Sequence, residues 1–337
     1  MSVAPETPLV PLRLAIGGSE RRLLLKLEGE CPGGSIKDRT ARGLLAELER
    51  SGRLRTGSIL VESTSGNLGV SLARLARARG YGFVAVVDPK TTPENLSCMR
   101  ALGARIEHVT RPDPTGGYLL SRLARVEELC SSEQLVWTDQ YSSSANPRAH
   151  ELETGPELFR QSAGRLDAVV VAVSTGGTLA GLARFFRSAS PSTRMVAVDA
   201  VGSVALGGRP GPRHLTGIGS SRRSRFLSDD LLDEKHLVAD GEAFACCRAL
   251  AAETGIRVGG SSGAVLVAAA RMLAAEPSLE RVACLCADGG RRYASTIFDA
   301  GWLATQGLPA DERWPEPVER TFVRPSTERG RRPAAVR

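Results

Sequence analysis

Residues 167–173, Asp-Ala-Val-Val-Val-Ala-Val, form an apolar run too short to span a membrane and too continuous for a strand with one wet face. A strand of that kind must be covered on both sides, as in a parallel sheet with helices packed on each face. Similar runs recur at 58–62 (SILVE), 83–87 (FVAVV) and 281–287 (RVACLCA), with shorter strand-like stretches at 105–109, 135–138 and 195–199. Segments with helical spacing alternate with them: 40–51, 68–79 (ended by Gly80), 93–102 (opening on Pro93), 117–130, 153–162, 178–188, 242–254 and 263–274. Strand–helix alternation predicts an α/β protein with mostly parallel sheets flanked by helices. At 337 residues the chain exceeds a single core of usual size and suits two lobes. Residues 202–228, rich in Gly, Ser and Arg, lack periodicity and read as one long irregular loop, functional or disordered.

The formal charge of +7 raises the question of a nucleic-acid partner, but the excess is concentrated at one end. From Arg313 onward, seven Arg and three Glu give the tail +4, and it reads as a solvated, poorly ordered end. The body has no basic stripe interleaved with aromatics, which argues against nucleic-acid binding. No apolar run approaches the roughly 20 residues of a membrane helix. MSVAPETPLV lacks a basic segment followed by an apolar one, so a cytoplasmic protein is expected. The seven cysteines are odd in number. The tight pairs Cys246-Cys247 and Cys284-x-Cys286 lack partners at zinc spacing, so buried thiols are expected and no metal.

Three glycine- and hydroxyl-rich segments could carry chemistry. In Cys31-Pro-Gly-Gly-Ser-Ile-Lys-Asp-Arg39, Pro32 and two glycines make a tight turn with a helix starting near Lys37. The positive end of a helix dipole favours the neutral amine that imine chemistry needs. Alone, the turn reads at least as well as an exposed lysine in a capping turn. Ser63-Thr-Ser-Gly-Asn-Leu-Gly69 runs from a buried strand into a helix and suits a carboxylate or phosphate, or is an ordinary capped helix start. Ser174-Thr-Gly-Gly-Thr-Leu-Ala-Gly181 directly follows the 167–173 strand and is the better phosphate cradle, neither a Walker loop nor a dinucleotide fingerprint. Gly259-Gly-Ser-Ser-Gly263 fits the G-x-S-x-G hydrolase pattern, but all four histidines (108, 150, 214 and 236) precede Ser261, which breaks the chain order of that fold.

Taken in order, PGGSIKDR, STSGNLG, QYSSSANPRAH, STGGTLAG and GGSSGA resemble the β-substituting fold-type II pyridoxal-phosphate (PLP) enzymes, the cysteine synthase and cystathionine β-synthase family, from about residue 10 to about 300. The resemblance implies the tryptophan synthase β-like architecture and PLP bound as a Schiff base on Lys37. It implies that Asn67 bonds the cofactor's 3′-oxygen, and that Ser174, Thr175, Gly176, Gly177 and Thr178 hold its phosphate. Ser261 would face the pyridine nitrogen. Thr64, Ser65, Gly66 and Leu68 would close on the substrate carboxylate, with Gln140 a further carboxylate contact. A neutral hydroxyl at the pyridine makes the ring a weaker electron sink than a carboxylate would, favouring loss of a β-leaving group over transamination. The implied sequence is ping-pong: amino acid displaces Lys37, the freed amine takes the Cα proton, the β-substituent leaves, and a nucleophile adds at Cβ.

Finer features resemble a subgroup that joins O-phospho-L-serine to the amino group of L-glutamate for 2,3-diaminopropionate supply to siderophores or peptide antibiotics. These are Ser174 where cysteine synthases usually have Gly, Tyr141 where they usually have Phe, and the segment Gly116–Arg122. Arg122 would suit a phosphate leaving group, or is a surface helix residue; the arginines of 222–225 meet an anionic substrate or are a solvated loop. Cys31 departs from the family, where Asn is common before the proline. The haem-binding extension and regulatory domain of some cystathionine β-synthases are missing. The rival reading is cysteine synthesis from O-acetylserine or O-phosphoserine and sulfide; a catalytically dead scaffold is disfavoured by Lys37, Asn67 and Ser261. The expected organisation is a large PLP-binding lobe from 1–37 and 144–312, a small mobile lobe from 38–143, a basic tail from 313–337, and a homodimer acting on amino-acid substrates.

Overall fold

The computed structural model describes residues 6–16, 18–114, 117–308 and 320–323. The elements run β1 (Leu9–Ile16), β2 (Ser19–Leu27), α1 (Lys37–Arg50), β3 (Ile59–Ser63), α2 (Asn67–Ala78), β4 (Gly82–Val87), α3 (Pro93–Ala101), β5 (Arg105–His108), α4 (Leu119–Glu133) and β6 (Val136–Trp137). They continue with α5 (Ala145–Ala149), a π-helical turn His150–Thr154, α6 (Gly155–Gln161), β7 (Ala168–Ala172), α7 (Gly177–Ala189), β8 (Arg194–Ala200), β9 (Glu234–Val238), α8 (Asp240–Thr254), α9 (Gly260–Ala275), β10 (Val282–Cys286), α10 (Ala300–Thr305) and β11 (Arg320–Val323).

These strands build two sheets. One has seven strands in the order β11-β1-β2-β10-β7-β8-β9, and the other has four in the order β5-β4-β3-β6. The four-stranded sheet is parallel throughout; in the larger sheet only the β11–β1–β2 edge is antiparallel. Both sheets are covered on both faces, as the apolar runs require. Along β7, Ala168 and Val170 join the core under α8 and α9, while Val169, Val171 and Val173 join the opposite core under α6 and α7. Successive strand side chains point to opposite faces, so the run must be apolar at every position. The same alternation puts Cys284 and Cys286 in the α8–α9 core beside Cys246 and Cys247. All four are buried free thiols, and burial pushes Cys286 up to about 12.

The β1–β2 hairpin, β9, α5 and α10 go beyond the sequence expectation. Within β1 Leu12, Leu14 and Ile16 are buried in one core and Leu9 packs against the other, and the turn to Ser19 passes through Gly18 at φ 76°. Alternating runs about a glycine pair are a hairpin signal. The tail expected to be poorly ordered contributes β11, which pairs antiparallel with β1. Thr321, Phe322 and Val323 are residue types that favour strands. The rest of that tail lies outside the described residues, as does Gly116. Residues 202–228 form no regular element. Among the described residues no helix is long and apolar enough to cross a membrane, and no cluster of metal-ligating side chains occurs.

A buried ionic cluster anchors the start of α1. Arg39 bonds Glu28 through Nε (2.8 Å) and Nη2 (2.9 Å), and Glu157 through Nη1 (2.7 Å) and Nη2 (3.0 Å). Lys26 pairs with Glu157, and the Thr7 hydroxyl donates to Glu28 at 2.6 Å. Two cations meet two carboxylates, so the cluster is neutral and joins β2, α1 and α6 two residues from Lys37.

Candidate active site

Lys37 is the first residue of α1. The turn before it is closed by Gly34 N–H donating to the Cys31 carbonyl (2.7 Å) and Gly33 N–H donating to Asp38 Oδ2 (2.6 Å). Gly34 has φ 79°, and a Cβ on Gly33 would stand 2.1 Å from Asp38 Oδ1, so both positions need glycine. The turn is fastened to the segment after β10 by Ile36 N–H donating to Ala287 O (2.8 Å). Burial lowers the Lys37 ammonium pKa, opposed by the Asp288 carboxylate, which favours the neutral amine that a carbonyl cofactor requires.

Opposite Lys37 stands the start of α7. Lys37, Ser174, Thr175, Gly176 and Thr178 line one cleft with Ile36, Ala172, Gly217, Leu285 and Ala287. Gly176 has φ 86°, and a Cβ there would meet Ser224 Oγ at 2.1 Å; a Cβ on Gly177 would meet Asn146 Oδ1 at 2.2 Å. A helix start carrying two glycines in tight surroundings and flanking hydroxyls fits a phosphate. A lysine amine with a lowered pKa across the same cleft fits the aldehyde of PLP.

The remaining expected residues surround that cleft. Asn67 opens α2; its Nδ2 donates to Asp288 Oδ2 at 2.6 Å and its Oδ1 accepts from Arg292. Nδ2 has a second hydrogen, the one suited to a cofactor oxygen. Thr64 Oγ1 accepts from Gly69 N–H (2.9 Å), shaping the 63–69 turn, in which Ser65 and Gly66 are half-buried and Leu68 is buried. Gln140 Nε2 donates to Ser63 O at 2.9 Å, tying the β6 end to the same turn. Ser261, buried on α9, faces Gly217, where a Cβ would lie 3.9 Å from its hydroxyl.

Arg122 is not the surface helix residue that one reading allowed. It is buried on α4 and pairs with Asp88 at 3.3 Å, so its charge is already matched. Half-buried Tyr141 carries the Arg222 guanidinium over its ring at 4.7 Å.

Four further residues order the site. Asn146 Nδ2 donates to Gln140 O (2.7 Å) and Thr175 Oγ1 (3.2 Å), joining the segment after β6 to the segment before α7. His150 Nε2 lies 3.0 Å from Thr40 Oγ1 and 3.3 Å from Thr178 Oγ1. Burial, then the charges of Lys37, Arg39 and Arg42, holds its pKa well below the usual imidazole range, so it is neutral. Asp288 also accepts from Tyr293 OH (2.5 Å), its other oxygen is buried without a partner, and burial raises its pKa. Glu62 accepts from the Thr138 hydroxyl and from Gln140 N–H (3.1 Å); burial pushes it up to about 7. Asn146 and His150 fall inside the quoted QYSSSANPRAH segment without a readable role, and nothing around Glu62 or Asp288 in sequence marks them.

The fold and this site define a PLP enzyme of fold type II. A family model described as "Pyridoxal-phosphate dependent enzyme" matches residues 3–288, and the chain belongs to that family. An N-(2-amino-2-carboxyethyl)-L-glutamate synthase of Ralstonia nicotianae is 44% identical over 299 residues, covering 88% of each chain. One of Cupriavidus metallidurans is 42% identical over 302 residues, covering 88% of this chain and 89% of its own. Among solved structures, a lysine-to-alanine variant of O-ureido-L-serine synthase with O-ureido-L-serine bound superposes with a TM-score of 0.82 at 30% identity, covering 91% of this chain and 97% of that one.

Proposed function

We propose that the chain is a transferase performing β-replacement on O-phospho-L-serine, with the amino group of L-glutamate as nucleophile, giving N-(2-amino-2-carboxyethyl)-L-glutamate and phosphate. The observation that carries this reading is the pair of relatives bearing that product's name at 44% and 42% identity over 88% of the chain. A 2,3-diaminopropionate supply for a siderophore or peptide antibiotic is the context such a product suits.

PLP supplies an electron sink that makes the substrate's Cα proton acidic and its β-substituent a leaving group. The protein's part is binding, orientation and proton transfer. The α7 cradle at Ser174–Thr178 would hold the phosphate, Asn67 would orient the cofactor through its side-chain amide, and Ser261 would offer it a hydroxyl that cannot act as a carboxylate counter-ion. Thr64, Ser65, Gly66, Leu68 and Gln140 bind the substrate carboxylate. Lys37, whose ammonium form burial disfavours, would accept the Cα proton and return it after the nucleophile adds. Tyr141 and Arg122 border the leaving-group side; with Asp88 on Arg122, that arginine acts on phosphate only by exchanging partners.

We further propose that residues 38–143, which contain all four strands of the smaller sheet, move against the rest to close over substrate, and that the enzyme is a cytoplasmic homodimer. Mass spectrometry of products from holoenzyme, phosphoserine and a panel of amines and sulfide tests the reaction. Phosphate release that requires glutamate, with the matching adduct mass, is expected. Cysteine formed from sulfide at higher turnover overturns it.

A further inference from the structure

The irregular stretch between β8 and β9 forms one wall of the cleft. Gly217 lines it, and the Ser224 hydroxyl donates to Thr175 O at 2.7 Å, fixing the loop to the phosphate cradle. From there two arginines reach across to the segment after β6. The Arg222 guanidinium sits over the Tyr141 ring at 4.7 Å, and Arg225 Nη1 bonds Ser142 Oγ at 3.4 Å. Both contacts fall on the two residues that follow Gln140. Among the described residues no carboxylate lies within 4.0 Å of either guanidinium, whereas the third cation of this region, Arg122, is matched by Asp88. Arg222 is half-buried, and its pKa is lowered first by burial and also by like-charged Arg225.

A partly desolvated guanidinium that faces another cation, with Asp139 and Glu62 acting on it only from beyond ion-pair distance, gains from an anion that arrives beside it. The cation–π contact offsets part of the desolvation cost and keeps a planar fork at the ring, a group suited to bidentate binding of a carboxylate. We infer that Arg222, seated on Tyr141 and supported by Arg225, is a specificity-determining residue that binds the side-chain carboxylate of an acidic amino-acid nucleophile. This rests on the proposed reaction and names what selects its second substrate. Such a nucleophile must keep its amine free to attack, so its distal carboxylate is the group available for recognition at the mouth. The other anion passing here is the phosphate of the first substrate, and the two are separable because the half-reactions are.

The test compares wild-type, R222Q and R222K holoenzymes. Phosphate released from phosphoserine in a single turnover without glutamate reads the first half-reaction. Steady-state kinetics with glutamate and with glutamine read the second, and calorimetric titration with glutarate, which has both carboxylates and no amine, reads binding without chemistry. In R222Q the single-turnover release stays within about twofold, while KM for glutamate rises roughly 10- to 100-fold, as expected for one charged hydrogen-bonding group. The preference for glutamate over glutamine collapses, glutarate binding weakens in parallel, and R222K falls between. Slowing of the single-turnover release as large as the loss with glutamate assigns Arg222 to phosphate and overturns the inference. An unchanged KM for glutamate overturns it too, with the proposed reaction intact. Wild-type enzyme that forms no glutamate adduct overturns the proposed reaction and this inference together.

Discussion

Replacing Arg39 by Met tests how the lysine-bearing helix is held. Arg39 is among the largest fully buried side chains and makes four bonds of 2.7 to 3.0 Å to Glu28 and Glu157. Met matches much of its volume and none of its charge, leaving two buried carboxylates with Lys26 alone. Breaking a buried pair from one side costs about 3–5 kcal/mol, mostly for the charge left behind. Glu157 gives an independent scale. It is held down to about 2 from its ordinary 4.5, with the Arg39 bond the largest of the favourable causes, against a burial penalty that acts in the opposite direction. That shift corresponds to about 3 kcal/mol. A depressed folded pKa stabilises above the unfolded value and is lost as pH falls from about 5 towards 2. In the variant the sign reverses. The surplus negative charge raises the carboxylate pKa, the folded state takes up a proton, and the penalty shrinks as pH falls from 8 to 5. Denaturant unfolding at fixed cofactor concentration, followed by tryptophan fluorescence, measures the difference. Adding Glu157→Gln restores neutrality and should recover more than half of the loss. A penalty below about 1 kcal/mol, or one equally large at pH 5 and pH 8, refutes the account of the cluster as a charge-balanced clamp.

Lys37→Ala should abolish the visible absorbance of lysine-bound cofactor, and after borohydride reduction only the wild-type Lys37 peptide should carry the pyridoxyl mass. Gly177→Ala drives a methyl against Asn146 and should destabilise by about 1–3 kcal/mol; because Asn146 holds Thr175, cofactor retention on dialysis should fall as well. Glu62, raised to about 7 from 4.5, favours the folded state when protonated, so its contribution is full below about 4.5 and is lost as pH rises through 7. Glu62→Gln should flatten the stability difference between pH 5.5 and 8.5 by up to about 2 kcal/mol, and a profile as steep as wild type would show that another group titrates.

What could be read in the sequence is what the backbone writes locally. The turn before Lys37 and the start of α7 both demand glycine, because φ is positive or a neighbouring atom stands closer than a Cβ permits. The valine run of β7 is apolar at every position because both its faces are covered. The β1–β2 hairpin was equally legible from its alternation, yet its many exposed positions dilute the apolar signal. Asp288 differs in kind. It holds Asn67 across 221 residues of chain, and Asn146 reaches Thr175 across 29. An Asp after a buried strand or an Asn before a proline has no local peculiarity, and its role exists only once two sheets stand side by side. Arg122 shows the converse. A cation at helical spacing cannot reveal whether an aspartate, here Asp88, already neutralises it.

The placement of the site follows from strand direction. The Lys37 turn follows β2, the 63–69 turn follows β3, Asp88 follows β4, Gln140 follows β6, Ser174 follows β7 and Asp288 follows β10. All lie beyond the carboxyl ends of strands that run parallel, where open α/β sheets bind ligands. Those connections are short and cross-tied, which suits groups that must hold one cofactor in one pose. The connection after β8 is the exception: it spans 202–228 with no regular element, meets the cradle through Ser224, and carries Arg222 to Tyr141. A loop of that length can change residues without disturbing either sheet. The choice of incoming nucleophile should therefore be the most easily altered property of this enzyme, and lysine chemistry the least. Substitutions within 217–227 that keep Ser224 should redirect the second half-reaction while cofactor loading stays at the wild-type level. Loss of cofactor from such variants would show instead that the loop is part of the cofactor's own binding frame.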